Sequence, residues 1–405
     1  MDVNLSGLGL RGQRRFMIRD CQIKSRALET KYDAGRAPMI KKPISADSHI
    51  TEPPHCYVDY IDPKFRDRAP RIQRIDKIGD AFIVDGMGSP VPMGLVAAAG
   101  KDPAEITTDG VAFEDLWKSG WDAKFRVADQ EKDGIAAEFI YPTVGMVICN
   151  HPDFDYKKAC FDAYNRWLQE YCGEAPDRLY GLAQVSMRSP EDGVAEIRHA
   201  KEMGFKGVMM PGNPAVEDYD STVYDKVWAT AVECDMPLSF HILTGKSDSL
   251  SGQVRGPRIN GFLSIIRGCQ DVMGTFIFGG VFDRFPDLKV VCVEADAGWV
   301  PHYMYRMDHA YKRHRYWMKA PPLKRMPSDY FNDNIYVTFQ DDWVAFRMKD
   351  MCNVRRLMWA NDFPHSDSTW PWSQAMLEEH TKNLSEQERN WICHDNVAEL
   401  YKLAV

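Results

Sequence analysis

Eight short apolar runs, each followed by a segment of helical periodicity, constrain the fold of this 405-residue chain more than any other feature. Strands that alternate with helices lie parallel, and eight such units close into a (β/α)8 barrel. We therefore predict an α/β fold, a TIM barrel forming one domain over residues 43–405. The eight predicted strands lie at residues 43–50, 134–143, 179–187, 205–213, 236–243, 288–296, 334–342 and 356–364.

Two segments fall outside these barrel units. Residues 1–42 are basic and weakly patterned, and we interpret them as an N-terminal arm that packs on the barrel or on a neighbouring subunit. They lack the apolar stretch of a secretory signal, and the acidic residues within them argue against a mitochondrial transit peptide. The second segment is an insertion after the first strand, where the run AFIVDG at residues 81–86 has glycine- and proline-rich surroundings.

Charge and cysteine usage exclude several classes of function. The net charge of −8 predicts no general attraction to nucleic acid or to an anionic membrane surface. No apolar run approaches the roughly 18–20 residues that a membrane-spanning helix needs. The ten cysteines include no CxxC pair, which favours reduced thiols over disulfides or a thiolate zinc site. These features predict a cytoplasmic protein that acts on a small molecule.

Residues that bind metals or carry protons stand at the ends of four predicted strands. Asp47 and His49 end the first strand, His241 the fifth, Glu294 the sixth and Asp362 the eighth. Catalytic residues of such barrels gather at the carboxyl ends of the strands, whereas the buried strand faces disfavour charge. Taken alone, each residue could be a core histidine, an ion-pair partner or a helix cap. Together they indicate one site, in which the first pair points to the same face of its strand.

Further polar and aromatic residues surround this predicted site. Glu52 breaks the alternation of the first strand, so it is either a ligand of a second metal ion or a hydrogen-bonding residue of the loop. His365 follows the eighth strand and has the same two interpretations. Aromatic residues near the same barrel end are either walls of a substrate pocket or ordinary core packing. The predicted pocket residues are Trp299, Phe339, Trp359 and Phe363.

Four motifs in the chain match a known family. They are DSHITEPP at the start of the barrel, SFH on the fifth strand, GGVFDRFPDLKVVCVEADAGWVP around the sixth and MWANDFPHSDSTWP on the eighth. With these motifs the chain resembles the amidohydrolase-related family of aminocarboxymuconate semialdehyde decarboxylase and γ-resorcylate decarboxylase. The resemblance implies a (β/α)8 barrel with a divalent metal ion. Its implied ligands are Asp47, His49, His241 and Asp362.

The chain departs from the family pattern at two positions. Decarboxylases of this family usually open with His-x-His or Glu-x-His, whereas Asp47 stands first here. They also usually carry a catalytic histidine on the sixth strand, where this chain has Glu294. We expect Glu294 to act as the general acid or base, with a pKa raised by burial, and Asp362 to share that role if it moves off the metal ion.

Three functions are compatible with this set of residues. The first is a metal-dependent lyase or hydrolase that decarboxylates or hydrolyses a small aromatic or unsaturated carboxylic acid, using Zn, Mn or Fe. The second is an oxygenase with a dinuclear Fe or Mn/Fe site, in which Glu52, Glu294 and His365 complete the ligands. The third is a catalytically silent structural subunit. The arm and the resemblance favour a homodimer or a larger assembly, which could include a paralogous subunit.

Overall fold

The computed structural model describes residues 41–245 and 254–404. Within them the predicted barrel is confirmed, and a small antiparallel sheet is added to it. In chain order the strands are β1 (Ile44–His49), β2 (Arg71–Ile75), β3 (Gly79–Ile83), β4 (Val91–Pro92), β5 (Ala137–Tyr141), β6 (Leu179–Gly181), β7 (Ala183–Gln184), β8 (Val208–Met210), β9 (Leu238–His241), β10 (Val290–Val293), β11 (Ile335–Phe339) and β12 (Leu357–Trp359).

Helices cover the outside of the barrel and connect its strands. They are α1 (His55–Val58), α2 (Met93–Val96), α3 (Ala123–Asp133), α4 (Val144–Ile148), α5 (Phe154–Gly173), α6 (Pro190–Glu202), α7 (Asp225–Glu233), α8 (Gly261–Phe278), α9 (Val281–Arg284), α10 (Val300–His314), α11 (Pro327–Asn334), α12 (Trp343–Arg347), α13 (Ser373–His380), α14 (Glu386–Asn390) and α15 (Asn396–Leu400). A single π-helical segment, Trp391–Asp395, precedes α15.

The barrel strands form two parallel sheets whose edges meet at two places. One sheet has the order β1-β5-β6 and the other the order β7-β8-β9-β10-β11-β12. β6 and β7 are two parts of one barrel strand, because Leu182 between them donates its N–H to Ile140 of β5. The next residue, Ala183, donates to Gly207 beside β8. The strands are buried on both faces, as the continuous apolar run of β10 requires.

The second meeting place, between β1 and β12, closes the barrel. His49 donates its N–H to the carbonyl of Phe363 (2.7 Å), and Asp362 donates to the carbonyl of Asp47 (3.1 Å). Both bonds lie beyond the last residue of β12, so the two strands are not joined by a regular ladder along their length. We call this boundary, between residues 44–49 and 357–363, the seam.

The predicted insertion after the first strand is confirmed as the antiparallel sheet β2-β3-β4 with its connecting loops. Its loops contact the segments that follow the two seam strands. Ala99 donates its N–H to Pro364 (3.0 Å), and Thr51 donates to the carbonyl of Gly120 (2.9 Å). The insertion therefore lies against the seam side of the barrel mouth.

Other predictions from the sequence concern residues that the structure describes only in part. All but the last two residues of the predicted arm, 1–42, lie outside them, so the arm stays a prediction. The nine cysteines that the structure describes form no disulfide bond with one another, in agreement with the sequence interpretation. Among the described helices, none combines the length and the apolar character that crossing a membrane requires.

Candidate metal centre

The strand-end residues predicted from the sequence come together in the structure. Asp47 and His49 stand on β1, His241 ends β9, and Glu294 and Asp362 follow β10 and β12. One potential ligand atom from each of Asp47, His49, His241 and Glu294 lies within 4.8 Å of the others. We call Asp47, His49, His241, Glu294 and Asp362 the strand-end cluster. Its two histidines, Asp47 and Asp362 are buried, and the Glu294 side chain is 11% exposed.

The two imidazole rings point the same nitrogen into the cluster. His49 Nε2 lies 3.2 Å from His241 Nε2, and each contacts carboxylate oxygens. Asp47 Oδ1 is 3.4 Å from His49 Nε2 and 3.6 Å from His241 Nε2. Glu294 Oε2 lies 3.0 Å from His241 Nε2, and Asp362 Oδ1 lies 3.5 Å from His49 Nε2. The ligand-type atoms of Asp47, His49, His241 and Glu294 therefore face one small volume, and Asp362 lies on the His49 side of it.

Backbone carbonyls fix the tautomers of both rings. His49 Nδ1 is 2.9 Å from the carbonyl of Pro142, and His241 Nδ1 is 3.0 Å from the carbonyl of Ile242. A carbonyl oxygen only accepts, so each Nδ1 must carry the donated hydrogen. In the neutral rings Nε2 is then an acceptor, and the two Nε2 lone pairs face each other. Such an arrangement is typical of metal-bound histidines, whose other ring nitrogen donates to a carbonyl or a carboxylate.

The carboxylates around these rings also lack donors. Both carboxylate oxygens of Asp47 and of Asp362, and Oε2 of Glu294, receive no well-formed hydrogen bond from the described residues. Each buried acceptor left in this way costs about 1–3 kcal/mol, and more when it is charged. A cation bound among acceptors removes this penalty. Two imidazoles with carboxylates suit Zn, Mn or Fe, so the residues fit the divalent metal ion that the sequence resemblance implied.

The pKa values of the cluster show that it favours a positive charge. Burial by itself lowers the pKa of His241, but the negative charges of Asp47 and Glu294 outweigh burial and raise that pKa to about 10. Burial raises the pKa of the Asp47 carboxyl, yet attraction to His241 and His49 leaves it below its ordinary value. A proton or a metal ion can supply the positive charge, so the two compete for the same atoms.

The expected pKa shift of Glu294 is wrong in sign. Burial does act to raise the pKa of Glu294, as we expected, but the neighbouring His241 and His49 lower it below its ordinary value. Asp362 behaves in the opposite way. Its burial and the negative charges of Glu294 and Asp47 raise its pKa well above the ordinary value. Of the two predicted catalytic carboxyls, Asp362 is therefore the one that holds a proton more readily.

His365 lies beside the cluster, and the lone pair of its Nδ1 points toward the cluster. The Thr143 hydroxyl donates to the carbonyl of Ile50 (2.6 Å), so its oxygen accepts from His365 Nε2 at 2.8 Å. His365 Nδ1 is then unprotonated in the neutral ring and lies 3.2 Å from Asp362 Oδ1. The ring stacks on His49 with 3.8 Å between centroids. His49, Glu294, Asp362 and His365 form a second set of atoms that could hold a metal ion.

Glu52 occupies a different place from the cluster. Its Oε1 accepts the backbone N–H groups of Thr143 (3.1 Å) and Gly145 (3.2 Å) at the start of α4, and the Tyr57 hydroxyl lies 3.4 Å away. The side chain is fully buried, and burial raises the pKa of its carboxyl. These contacts agree with the interpretation of Glu52 as a hydrogen-bonding residue that joins the loop after β1 to the segment after β5.

Backbone strain marks two of the cluster carboxylates. Glu294 has φ 56° and Asp362 has φ 52°, in the left-handed region that residues other than glycine seldom adopt. The N–H of Glu294 is held by the Thr338 hydroxyl at 2.9 Å. Strained backbone of this kind costs about 1–3 kcal/mol per residue and is concentrated at functional sites. This strain could not be predicted, because nothing in a single sequence distinguishes these two strand ends from relaxed ones.

The four aromatic residues predicted for the substrate pocket lie largely in the core. Phe339, Trp359 and Phe363 are almost fully buried, and Phe339 packs against Phe346 of α12. Trp299 is partly buried and contacts other aromatic rings. A cavity of about 160 Å³ adjoins His241, and none of the four residues lines it. Its lining residues are Gly212, Asn213, Asp218, Phe240, His241, Thr244, Gly245, Gly268, Cys269, Asp271, Val272 and Thr275.

Similarity to known proteins agrees with the family that the motifs suggested. The amidohydrolase family model matches residues 151–403, which is more than half of the chain and includes His241, Glu294 and Asp362. The γ-resorcylate decarboxylase of Polaromonas sp. strain JS666 is 28% identical over 268 residues. That alignment covers 59% of this chain and 75% of the relative.

Solved structures share the fold at low sequence identity. A crystal structure of an amidohydrolase from Mycobacterium avium subsp. paratuberculosis K-10 has a TM-score of 0.73 and 21% identity, over 89% of this chain and 99% of that chain. The 5-carboxyvanillate decarboxylase of Novosphingobium aromaticivorans, solved with manganese and a nitrobenzoic acid, has a TM-score of 0.65 and 21% identity. It covers 90% of this chain and 98% of that chain. With a (β/α)8 barrel and the family match over its C-terminal 60% or so, the chain belongs to the amidohydrolase family.

Proposed function

We propose that the chain is a metal-dependent carboxy-lyase that removes CO₂ from a small aromatic carboxylic acid. The observation that carries this proposal is the strand-end cluster, in which buried imidazole and carboxylate acceptors face one volume without donors. The names of the relatives support it, because they are γ-resorcylate decarboxylases and an aminocarboxymuconate semialdehyde decarboxylase. A hydrolase with the same metal ligands is the nearest related function.

Four residues would hold the metal ion in this proposal: Asp47, His49, His241 and Asp362. When bound, the ion supplies a Lewis acid that binds and polarises an oxygen of the substrate. Manganese, zinc and iron all suit the ligand types. The remaining groups orient these ligands, since the carbonyls of Pro142 and Ile242 hold the two imidazole rings.

The proton for the reaction would come from the Asp362 carboxyl when this side chain is released from the metal ion. Decarboxylation of an arene carboxylate requires one proton on the ring carbon, after which the bond to the carboxylate breaks and CO₂ leaves. In the metal-free cluster the pKa of Asp362 is raised well above the ordinary value by burial and by the charges of Glu294 and Asp47, so this carboxyl holds a proton more readily than Glu294 does. Glu294 stays ionised beside His241 and keeps the negative charge that raises the Asp362 pKa.

Product formation from aromatic acids tests the proposed reaction. The metal-free protein, and the same protein loaded with Mn²⁺ or Zn²⁺, would be incubated with γ-resorcylate and 5-carboxyvanillate, and release of CO₂ and of the decarboxylated arene measured. We expect release only from the loaded protein. Hydrolysis of an ester or amide panel without CO₂ release would support the hydrolase, and inactivity of the loaded protein toward both panels would contradict the proposal.

One alternative rests on a specific observation, the second set of ligand-type atoms that His365 completes. With ions in both sets, the barrel would hold a dinuclear Fe or Mn/Fe centre and could act as an oxygenase. His49 and Glu294 belong to both sets, but His49 offers only the lone pair of Nε2 and could therefore bind one ion, so the other ion would need a ligand in its place. Oxygen consumption by protein reconstituted with iron separates this alternative from the carboxy-lyase, which needs no oxygen. A silent structural subunit has less support, because the predicted ligands do converge.

Metal affinity should increase with pH well above the ordinary pKa of histidine. In the metal-free protein the pKa of His241 is raised to about 10, so below that pH an incoming ion must displace the His241 proton. Deprotonation favours binding, and affinity should therefore rise with pH by about tenfold per pH unit for each proton that the ion displaces. Mn²⁺ titration at several pH values between about 7 and 8.5 measures this slope. An affinity that is flat above pH 7 would show that the ion displaces no proton from His241.

A further inference from the structure

The seam between β1 and β12 is joined mainly by side chains. Asn361 lies at its centre, and its Oδ1 accepts the hydroxyls of Ser45 (3.0 Å) and Ser48 (2.7 Å) from β1. The backbone N–H of Asn361 donates to Ser45 Oγ at 2.9 Å. Serines three residues apart reach one amide because β1 carries a register shift between them, opposite β5. Asp47 lies within this irregular stretch.

The network continues into a buried ion pair. Glu138 of β5 accepts the Asn361 amide at Oε1 (3.2 Å) and the Arg126 Nε–H at Oε2 (2.6 Å). Gln130 also donates to Oε2, at 2.7 Å. Arg126 on α3 has no exposed surface. Removing a guanidinium and a carboxylate from water is costly unless their remaining donors and acceptors are bonded, and here the remaining donors of Arg126 go to backbone carbonyls.

Those carbonyls belong to the segments that carry the proposed ligands. Arg126 Nη1 donates to the carbonyl of His49 at 2.8 Å and is 3.3 Å from that of Ser119. Nη2 donates to the carbonyl of Phe363, the residue after Asp362, at 3.1 Å. The guanidinium also lies over the Phe363 ring, 4.6 Å from its centroid. The guanidinium of Arg126 thus binds both sides of the seam. On one side it binds the carbonyl of the proposed ligand His49, and on the other the carbonyl of the residue that follows the proposed ligand Asp362.

We propose that Arg126, oriented by Glu138, is a positioning residue that sets the metal affinity of the site by fixing the His49 and Phe363 carbonyls across the seam. This inference rests on the proposed function, because it assumes that His49 and Asp362 bind the ion. Arg126 does not touch the cluster atoms and acts only through the backbone that carries them. The rigid fork of a guanidinium can bind two carbonyls and a carboxylate at once, which the single ammonium of lysine cannot do in the same geometry.

A purely structural role makes a different prediction. If Arg126 served only to neutralise Glu138, removing both charges together would restore the site. If it positions the carbonyls, removing both charges leaves the His49 and Phe363 carbonyls without the guanidinium that bridges them. Arg126→Met, Glu138→Gln and the double variant therefore separate charge balance from positioning. Arg126→Lys keeps the charge and loses the fork.

The experiment measures Mn²⁺ affinity of the full chain, together with the thermal unfolding midpoint of each metal-free variant and the visible spectrum of Co²⁺-loaded protein. Arg178→Lys is the matched control, because Arg178 also binds a carboxylate, Glu131, and a carbonyl, that of Ile135, but away from the cluster. Groups that orient metal ligands typically change affinity by about 10- to 100-fold when removed.

We expect Arg126→Lys and the double variant to lose affinity in that range and to alter the Co²⁺ spectrum, with Arg178→Lys unchanged. Glu138→Gln, in which Arg126 keeps its carbonyl bonds, should lose less Mn²⁺ affinity than Arg126→Lys. This variant provides the test if the Arg126 variants do not fold. Wild-type affinity in Arg126→Lys, or full recovery in the double variant, would overturn the inference. Absence of Mn²⁺ binding by the wild-type protein would instead overturn the proposed function on which the inference rests.

Discussion

Protein with His241 replaced by alanine is expected to lose stoichiometric metal while the barrel remains folded. The ring contributes Nε2 to the centre of the cluster, 3.2 Å from His49 Nε2 and 3.0 Å from Glu294 Oε2. Its removal leaves the carboxylates with one imidazole instead of two. We expect the affinity for Mn²⁺ to fall by more than about 100-fold, because removal of a ligand exceeds the effect of removing a group that only orients one. Asp47→Ala should have the same result.

A buried histidine outside the cluster provides the control for this substitution. His151 is 3% exposed and lies 2.6 Å from the carbonyl of Asp85 through Nε2. His151→Ala removes the same group from a buried position, so it reports the cost to the fold without touching the proposed ligands. Elemental analysis and circular dichroism of the variants measure metal and folding together. Stoichiometric metal in both His241→Ala and Asp47→Ala would show that the ligand assignment is wrong.

Replacing Asp362 with asparagine is expected to reduce turnover of the Mn²⁺-saturated protein by about 10²- to 10⁴-fold, the usual contribution of a general acid. The amide has nearly the shape of the carboxyl but cannot donate a carboxyl proton. In the unmodified enzyme activity should fall as pH rises through the pKa that Asp362 has in the loaded protein, because only the protonated form donates. Metal content must be measured with the rate, since Asp362 is also a proposed ligand.

Glu294→Gln is the matched change for Asp362→Asn, because it converts the neighbouring cluster carboxylate to an amide. The lowered pKa of Glu294 makes it a poor proton donor, so we expect its substitution to cost less turnover than that of Asp362. It also removes a negative charge that raises the Asp362 pKa, so the alkaline limit of the pH profile should move to lower pH. A larger loss in Glu294→Gln with full metal content would instead identify Glu294 as the acid.

Strand positions and ligand types were accessible from the sequence because both depend on local patterns. An apolar run followed by a helical segment predicts a parallel strand, and the carboxyl ends of such strands must meet at one end of a barrel. For that reason Asp47, His49, His241, Glu294 and Asp362 could be placed together before any coordinates were known. The insertion after the first strand could be recognised in the same way, from its glycine and proline content.

Features that depend on distant partners could not be predicted. The pKa of Glu294 falls because His241 and His49 lie beside it, and those distances are set by three different strands. Arg126 is remote in sequence from the carbonyls of His49 and Phe363 that it binds, and nothing in a helical segment of mixed charge shows that this arginine is buried. The side chain of Phe339 packs against Phe346 of α12, a choice of strand face that the continuous apolar run does not reveal.

Metal content per chain tests the central proposal most directly, by elemental analysis of protein purified without added metal. We expect one equivalent of a divalent ion, manganese, zinc or iron, bound by the strand-end cluster. Two equivalents including iron would favour the dinuclear alternative over the carboxy-lyase. No bound metal, even after reconstitution with Mn²⁺, Zn²⁺ and Fe²⁺, would contradict the proposed function.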